Sequence, residues 1–246
     1  NAAPNTFEAA VLVNQDLPST TLVGALVSRG NGTTDILTTN SKTVTGTGSF
    51  SSYGTSTTHT GGSDLAGVHD EGQGAWVLGA VTTLIPMTTA QAWFYNIEGS
   101  AQAYWLQADA KLPMNVGVGA QYAYLAAVGS VKEAISASAN NDYKTDAYAV
   151  QATYSIADIN LAAAYSSVSK GTLAAANTAT GGKKTKLYTA SILADGTLAA
   201  LPGVNSWKLS ANTKLAGFDL GASYGHYDAK ENEKGFLFNR TASQTF

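Results

Sequence analysis

Residues 101–125, AQAYWLQADAKLPMNVGVGAQYAYL, alternate with a period of two on both sides of a tight break at Pro113 and Met114. In the first arm Tyr104, Leu106, Ala108, Ala110 and Leu112 share one parity, and Gln107, Asp109 and Lys111 share the other. In the second arm Val116, Val118, Ala120, Tyr122 and Tyr124 alternate with Asn115, Gly117, Gly119, Gln121 and Ala123. A β-strand sends successive side chains to opposite faces, so this stretch is a hairpin with one apolar and one polar face. Tyrosines close the apolar face near Leu125, and Tyr104 and Trp105 lie at the matching end of the first arm. An apolar band ending in aromatics, opposite small polar residues, suits a strand between lipid and a watery lumen. A hairpin of a soluble sandwich or a lipocalin-like barrel would show the same alternation.

Strands of the same style recur along the chain. The candidates are 6–13, 21–29, 75–84 and 91–97, then the two arms of the opening hairpin, then 146–156, 159–167, 206–215 and 218–227, ten in all. Short breaks at NQDLPST, IPMTTA, PM, AD and AG alternate with links at 30–74, 98–100, 126–144 and 168–205, most of them long and polar. One end of the sheet therefore carries tight turns and the other mostly long links, the asymmetry of outer-membrane barrels with short periplasmic turns and long extracellular loops. The pattern holds only if 185–204, TKLYTASILADGTLAALPGV, is not a spanning strand. Its Pro202–Gly203 end agrees, and the segment is expected to be part of a long excursion folded toward the lumen. The expected fold is all-β, a transmembrane antiparallel barrel of one domain over 1–246, with 30–74 and 168–205 as long extracellular loops. Residues 228–246 read as charged and irregular.

Composition narrows the function classes. Charged residues make up 13% of the chain, against ~25% in ordinary soluble domains. No apolar run approaches the ~20 residues of a transmembrane helix. There is no Cys, so thiol chemistry and Cys-ligated metals are excluded. The net charge of −3 argues against a nucleic-acid surface. The opening NAAPNTF has neither Met nor a basic region, so a mature or truncated chain is expected.

The hairpin ATYSIADINLAAAY, the segment SILADGTLAALPG and the stretch KLSANTKLAGFDLGASYGHYDAKENEKG resemble the Campylobacter-type major outer membrane porins. TFEAAVLVNQDL and QAWFYNI also fit the middle of that family. The resemblance implies an eighteen-stranded trimeric barrel, of which this chain would supply the central ten strands and be incomplete at both ends. It implies outer-membrane lipid and lipopolysaccharide as surroundings, a homotrimer, loops exposed at the cell surface, and passage of ions and small hydrophilic solutes. A surface adhesin or structural barrel protein is the alternative; a soluble β-barrel carrier or sandwich enzyme is a third reading.

No enzyme constellation stands out, no motif marks a nucleophile or a phosphate loop, and no cofactor is expected. His59 and His69 share a Gly/Ser/Thr tract with Asp64, Asp70 and Glu71, a setting that promises little of the fixed geometry a metal needs. The informative charges lie on the polar parity of strands: Glu8, Asp109, Lys111, Lys208, Lys214 and Asp219, with Arg29 at a strand end. With Gln107 and Gln121 these are the expected pore-lining residues, because opposite charges across a watery constriction bias ion passage. Lys111 and Lys214 lie near tight turns; Asp109 and Lys208 lie nearer mid-height. Tyr104, Leu106, Tyr122, Tyr124, Tyr148, Val150, Tyr154, Leu161, Tyr165, Trp207 and Leu209 are expected to point outward, and Gln107, Gln121, Gln151 and Asn212 inward.

Overall fold

The computed structural model describes residues 7–30, 37–39, 42–45, 51–52, 57–58, 74–98, 101–137, 142–171, 173–175, 185–191, 196–215, 218–229 and 241–245. In chain order the strands begin with β1 (Phe7–Asn14) and β2 (Thr20–Gly30). Short strands β3 (Leu37–Thr39), β4 (Lys42–Thr45), β5 (Ser51–Ser52) and β6 (Thr57–Thr58) lie in the long link that follows. Then come β7 (Ala75–Thr82), β8 (Thr88–Ile97), β9 (Ala101–Leu112), β10 (Val116–Ala127), helix α1 (Gly129–Ala137), β11 (Lys144–Ile156) and β12 (Ile159–Val168). The chain continues through helix α2 (Thr197–Ala200), β13 (Val204–Leu215), β14 (Phe218–Ala229) and β15 (Thr241–Thr245).

The ten long strands form one antiparallel meander, in the order β1-β2-β7-β8-β9-β10-β11-β12-β13-β14, extended by β15 at one edge and by β5 beside β2. These are the ten strands expected from the alternation. Two elements differ from the sequence reading. Residues 129–137, inside an expected polar loop, are helical, and Thr241–Thr245, in the tail expected to be irregular, pairs with β14. The first breaks no rule of the strand pattern, because α1 sits in a link. The second is a backbone pairing that needs no aromatic alternation.

The short turns share a local chemistry. Leu17–Pro18–Ser19–Thr20 and Ile85–Pro86–Met87–Thr88 each close with an N–H of the fourth residue on the carbonyl of the first, at 3.2 and 3.1 Å. Proline at the second position and a positive φ at the third, 53° for Ser19 and 61° for Met87, make the pattern of a type II turn. Met114, Asn115 and Ala157 also have positive φ, and all lie at this end of the sheet. These turns bond sideways to the neighbouring strand: Thr83 N donates to Ser19 O, Lys111 N to Met87 O and Ser155 N to Asn115 O, at 2.8–3.1 Å. The rim of tight turns is thus stitched laterally. The long links leave from the opposite ends of the strands.

One face of the sheet is apolar and, among the described residues, uncovered. Leu106 is 48% exposed, Tyr148 and Val150 50%, and Leu209 51%. Tyr104, Tyr122, Tyr154, Leu161, Tyr165 and Trp207 are exposed with them, while Tyr124 is half-buried. Aromatic rings meet across neighbouring strands toward the long-link end: Trp76 on Phe94 at 5.0 Å, Phe94 on Tyr104 at 4.7 Å, Tyr104 on Tyr124 at 6.0 Å, and Trp207 on Tyr224 at 5.2 Å. From Tyr104 to Leu112 the apolar parity of β9 runs about 27 Å along the strand, close to the ~25 Å apolar band of a membrane barrel. A band of this size facing outward has the place that a core has in a soluble protein.

Positive φ strains a residue with a Cβ, and glycine relieves it. Ser19→Gly and Met87→Gly are each expected to stabilise the sheet by about 1 kcal/mol. The check is the urea midpoint of unfolding from lipid vesicles, which should rise for both variants.

Candidate functional site: a segment laid across the polar face

The opposite face carries the polar parity, and its register brings distant residues into rows. Gln107, Gln121, Ala149, Ser166, Ser206 and Tyr227 are successive cross-strand partners from β9 to β14. The adjacent row on the same face runs Asp109, Gly119, Gln151, Ala164, Lys208, Gly225. Asp109 and Lys208 therefore stand in one row, four strand spacings apart, roughly 19 Å if laid flat.

Residues 185–191 lie along these two rows. No strand is assigned between Val168 and Val204 among the described residues. The segment bonds to the wall in turn. Gln121 Nε2 donates to Lys186 O at 3.1 Å, and Tyr188 N donates to Gln121 Oε1 at 3.0 Å. Tyr188 OH donates to Asp109 Oδ1 at 2.5 Å. The hydroxyls of Thr189 and Ser166 are 2.5 Å apart, Tyr227 OH donates to Thr189 O at 2.9 Å, and Lys208 Nζ donates to Ala190 O at 2.8 Å. The peptide groups of a segment without its own ladder find their partners on strand side chains, as buried backbone must.

Packing supports the bonds. Leu187 is buried among Ala123, Ala147, Ala149, Val168 and Ala175, with Trp105, Leu125 and Tyr188 against the cluster. The alanines fall where larger residues would hold the segment off the wall. Gly119 has the same purpose more acutely: a Cβ there would run into the Tyr188 hydroxyl and lie 2.6 Å from Asp109 Oδ1. Beyond the segment, Gly196 (φ 76°) opens the short α2, whose Ala199 is buried with Val204 and Tyr227. Burial, and then the bond to Asp109, push the Tyr188 hydroxyl well above its ordinary pKa. It stays a protonated donor through the physiological range, and the contact is lost only as pH rises through that raised value.

The structure sorts the expected lining residues. Gln107, Asp109, Gln121 and Lys208 come together on the segment. Gln107 accepts from Trp105 Nε1 and Gln121 and donates to Asp109, completing the wall side of the site. Lys111 is exposed at the tight-turn rim, and Lys214 pairs there with Asp219 at 3.5 Å, both strongly exposed. Gln151 is half-buried, and Asn212 is exposed although its parity is the polar one. Glu8 departs from expectation. It shares parity with Ala10 and Leu12, which pair with Leu26 and Gly24 on the way to Leu78 and Phe94 of the apolar face. A register shift lies between Glu8 and Ala9 and brings Arg29 opposite Glu8. The side chain of Arg29, and His59, His69, Asp64, Asp70 and Glu71, lie outside the described residues.

Sequence reading missed the aromatics of the polar face. Trp93 and Trp105 are direct cross-strand partners, and Tyr95 stacks on Trp93 with centroids 6.4 Å apart. With Gln91, Gln107, Gln121, Lys186 and Tyr188 they line a cavity of about 490 Å³. The signal was present: Trp105 shares parity with Gln107 and Asp109, and Trp93 and Tyr95 share parity with Gln91. Among the described residues no group of three His, Asp or Glu could hold a metal.

Leu187→Ala removes the apolar anchor, and Gly119→Ala displaces Tyr188 from Asp109. Both are expected to free the segment without unfolding the strands. Tryptic cleavage after Lys186 should become several-fold faster in each, while the thermal midpoint of the β-signal in detergent should hardly move. A large fall of that midpoint would mean that the segment is integral to the sheet.

No family model matches the sequence, and no curated protein matches it. Solved structures do match. Pseudomonas aeruginosa OccK5 (OpdH) superposes with a TM-score of 0.69 at 14% identity, over 100% of this chain and 60% of that one. Pseudomonas aeruginosa OccK8 (OprE) gives 0.65 at 14% identity over 98% and 60%, and OpdO from the same organism 0.64 at 14% over 94% and 55%. This chain thus spans less than two thirds of the length of these neighbours. They are outer-membrane porin barrels, and the match reaches porins in general rather than the Campylobacter-type family in particular. At this identity the likeness shows the fold alone: an antiparallel sheet of porin-barrel type.

Proposed function

We propose that this chain forms the wall of a passive, water-filled outer-membrane channel for ions and small hydrophilic solutes, and that it performs no reaction. The observation that carries this reading is the pairing of the two faces. One is a continuous apolar band that only lipid or a partner barrel can cover. The other is polar and narrowed by a segment hydrogen-bonded to it from β9 to β14. A closed soluble barrel or sandwich would bury the apolar band and solvate the polar face.

The finer parts of the reading follow from it. The tight-turn rim faces the periplasm, and the links 30–74 and 168–205 leave the membrane at the cell surface, the second turning back into the lumen. Lipopolysaccharide surrounds the surface end of the band, and three copies associate as in trimeric porins. The quoted motifs support kinship with the Campylobacter-type major porins. Gln107, Asp109, Lys111, Gln121, Lys208, Lys214 and Asp219 line the water path, and Asp109 and Lys208, in one row, set its field at the narrow level. Glu8 and Arg29 stand apart at the β1–β2 edge.

Planar-bilayer recording on the purified protein tests the channel: discrete, ohmic ion conductance is expected, and its absence would leave the adhesin reading. Within that measurement, Lys208→Glu should shift the reversal potential in a salt gradient toward cations more than Lys111→Glu does. Lys208 is half-buried beside the crossing segment, whereas Lys111 is exposed at the rim. Both shifts should shrink as salt rises, since charges are screened over ~10 Å at 0.1 M. Equal shifts would place the narrow level elsewhere.

A further inference from the structure

The cavity on the polar face differs from the adjoining rows of the inner wall in carrying two indoles side by side. Trp93 and Trp105 stand side by side on β8 and β9, and each indole is held by a glutamine two residues away. Trp93 Nε1 donates to Gln91 Oε1 at 2.8 Å and Trp105 Nε1 to Gln107 Oε1 at 3.2 Å. The Trp93 ring lies over Gly79 of β7, where any Cβ would collide with it. The rings are fixed, not adaptable, and their faces border a space of about 490 Å³. That size falls within the ~300–1,000 Å³ of small-molecule sites.

The chemistry of the lining narrows the ligand. No carboxylate borders the cavity among the described residues, and the one charge is the exposed Lys186, which repels a cation that the ring faces alone would attract. Aromatic faces carry negative potential, which disfavours an anion lying over them and favours polarised C–H groups. The polar groups left over are donors. The Gln91 amide nitrogen, the Tyr95 hydroxyl and the Lys186 ammonium have no hydrogen-bond partner among the described residues. A ligand with an apolar C–H face and a rim of hydroxyl oxygens answers both halves of this lining.

We propose that the cavity is a stacking subsite for neutral pyranose sugars, with one ring on the Trp93–Trp105 pair and its hydroxyls on Gln91, Tyr95 and Lys186. This deepens the channel reading, on which it rests for its route of access, by naming a solute class that would be held in transit.

The test uses the full chain in detergent micelles, titrated with maltose, with glucuronate and choline as anionic and cationic comparators, and followed by indole emission. Maltose should give a saturable change. Trp93→Ala and Trp105→Ala should each weaken it by about tenfold, and Trp207→Phe on the outer face should leave it unchanged. Gln91→Leu keeps both indole rings while removing the amide donors and the carbonyl that holds Trp93, so it should weaken maltose as well even if an indole variant fails to fold. No saturable maltose response, one indifferent to all three inner-face variants, or tighter binding of glucuronate or choline would overturn the proposal. Saturable maltose binding without ion conductance would uphold the subsite and remove the channel reading. Conductance without maltose binding would do the reverse.

Discussion

A peptide group that meets hydrocarbon has no water to bond, so every N–H and C=O in the band must find its partner in the protein. The long antiparallel ladder from β1 to β14 answers that constraint, and other features follow from it. Side chains are then free to be chosen for what they face: leucine, valine and tyrosine on one side, glutamine, serine, glycine and alanine on the other. The turns must reverse the chain without leaving the ladder, which is why proline and non-glycine left-handed residues collect at one rim, where their carbonyls accept N–H groups from the neighbouring strand.

The second consequence concerns where the core is. Leu187, Ala123, Ala147 and Ala149 are buried on the polar side, under a segment with no ladder of its own. Small residues on that face are commonly read as concessions to water. Here many are a bed for backbone: alanines let Leu187 sit close, and Gly119 leaves space for the Tyr188–Asp109 bond. In the proposed channel Asp109 and Lys208 would have two duties, a charge toward the water path and a bond to the segment that narrows it. Substitution at either position changes field and shape together.

Period-two alternation made the strands legible, and the contrast of short breaks with long links gave their order; among the described residues of 185–204 only Val204 joins a strand. The outward set from Tyr104 to Leu209 followed from parity alone. Glu8 shares the parity of Ala10 and Leu12, beside an irregular register that no residue pattern announces. Parity was under-used at Trp93 and Trp105, each of which has a glutamine, Gln91 or Gln107, at two-residue spacing. The docking of Thr189 on Ser166 and of Ala190 on Lys208 was beyond sequence reading. Such contacts join residues through space, and a hydroxyl or a lysine in a strand has no mark for the carbonyl it will meet.

The inward segment also fixes a minimum circumference. A barrel of about eight strands has an interior just filled by its own side chains, and diameter grows roughly in proportion to strand number. The span occupied by 185–191, with α2 beside it, adds backbone on top of that filling. Ten strands bent into a closed ring would pinch the segment against the opposite wall and leave little free bore. Residues 185–191 thus require a ring wide enough to hold them and still leave a passage. Among the described residues β1 and β15 are the outer margins of the sheet.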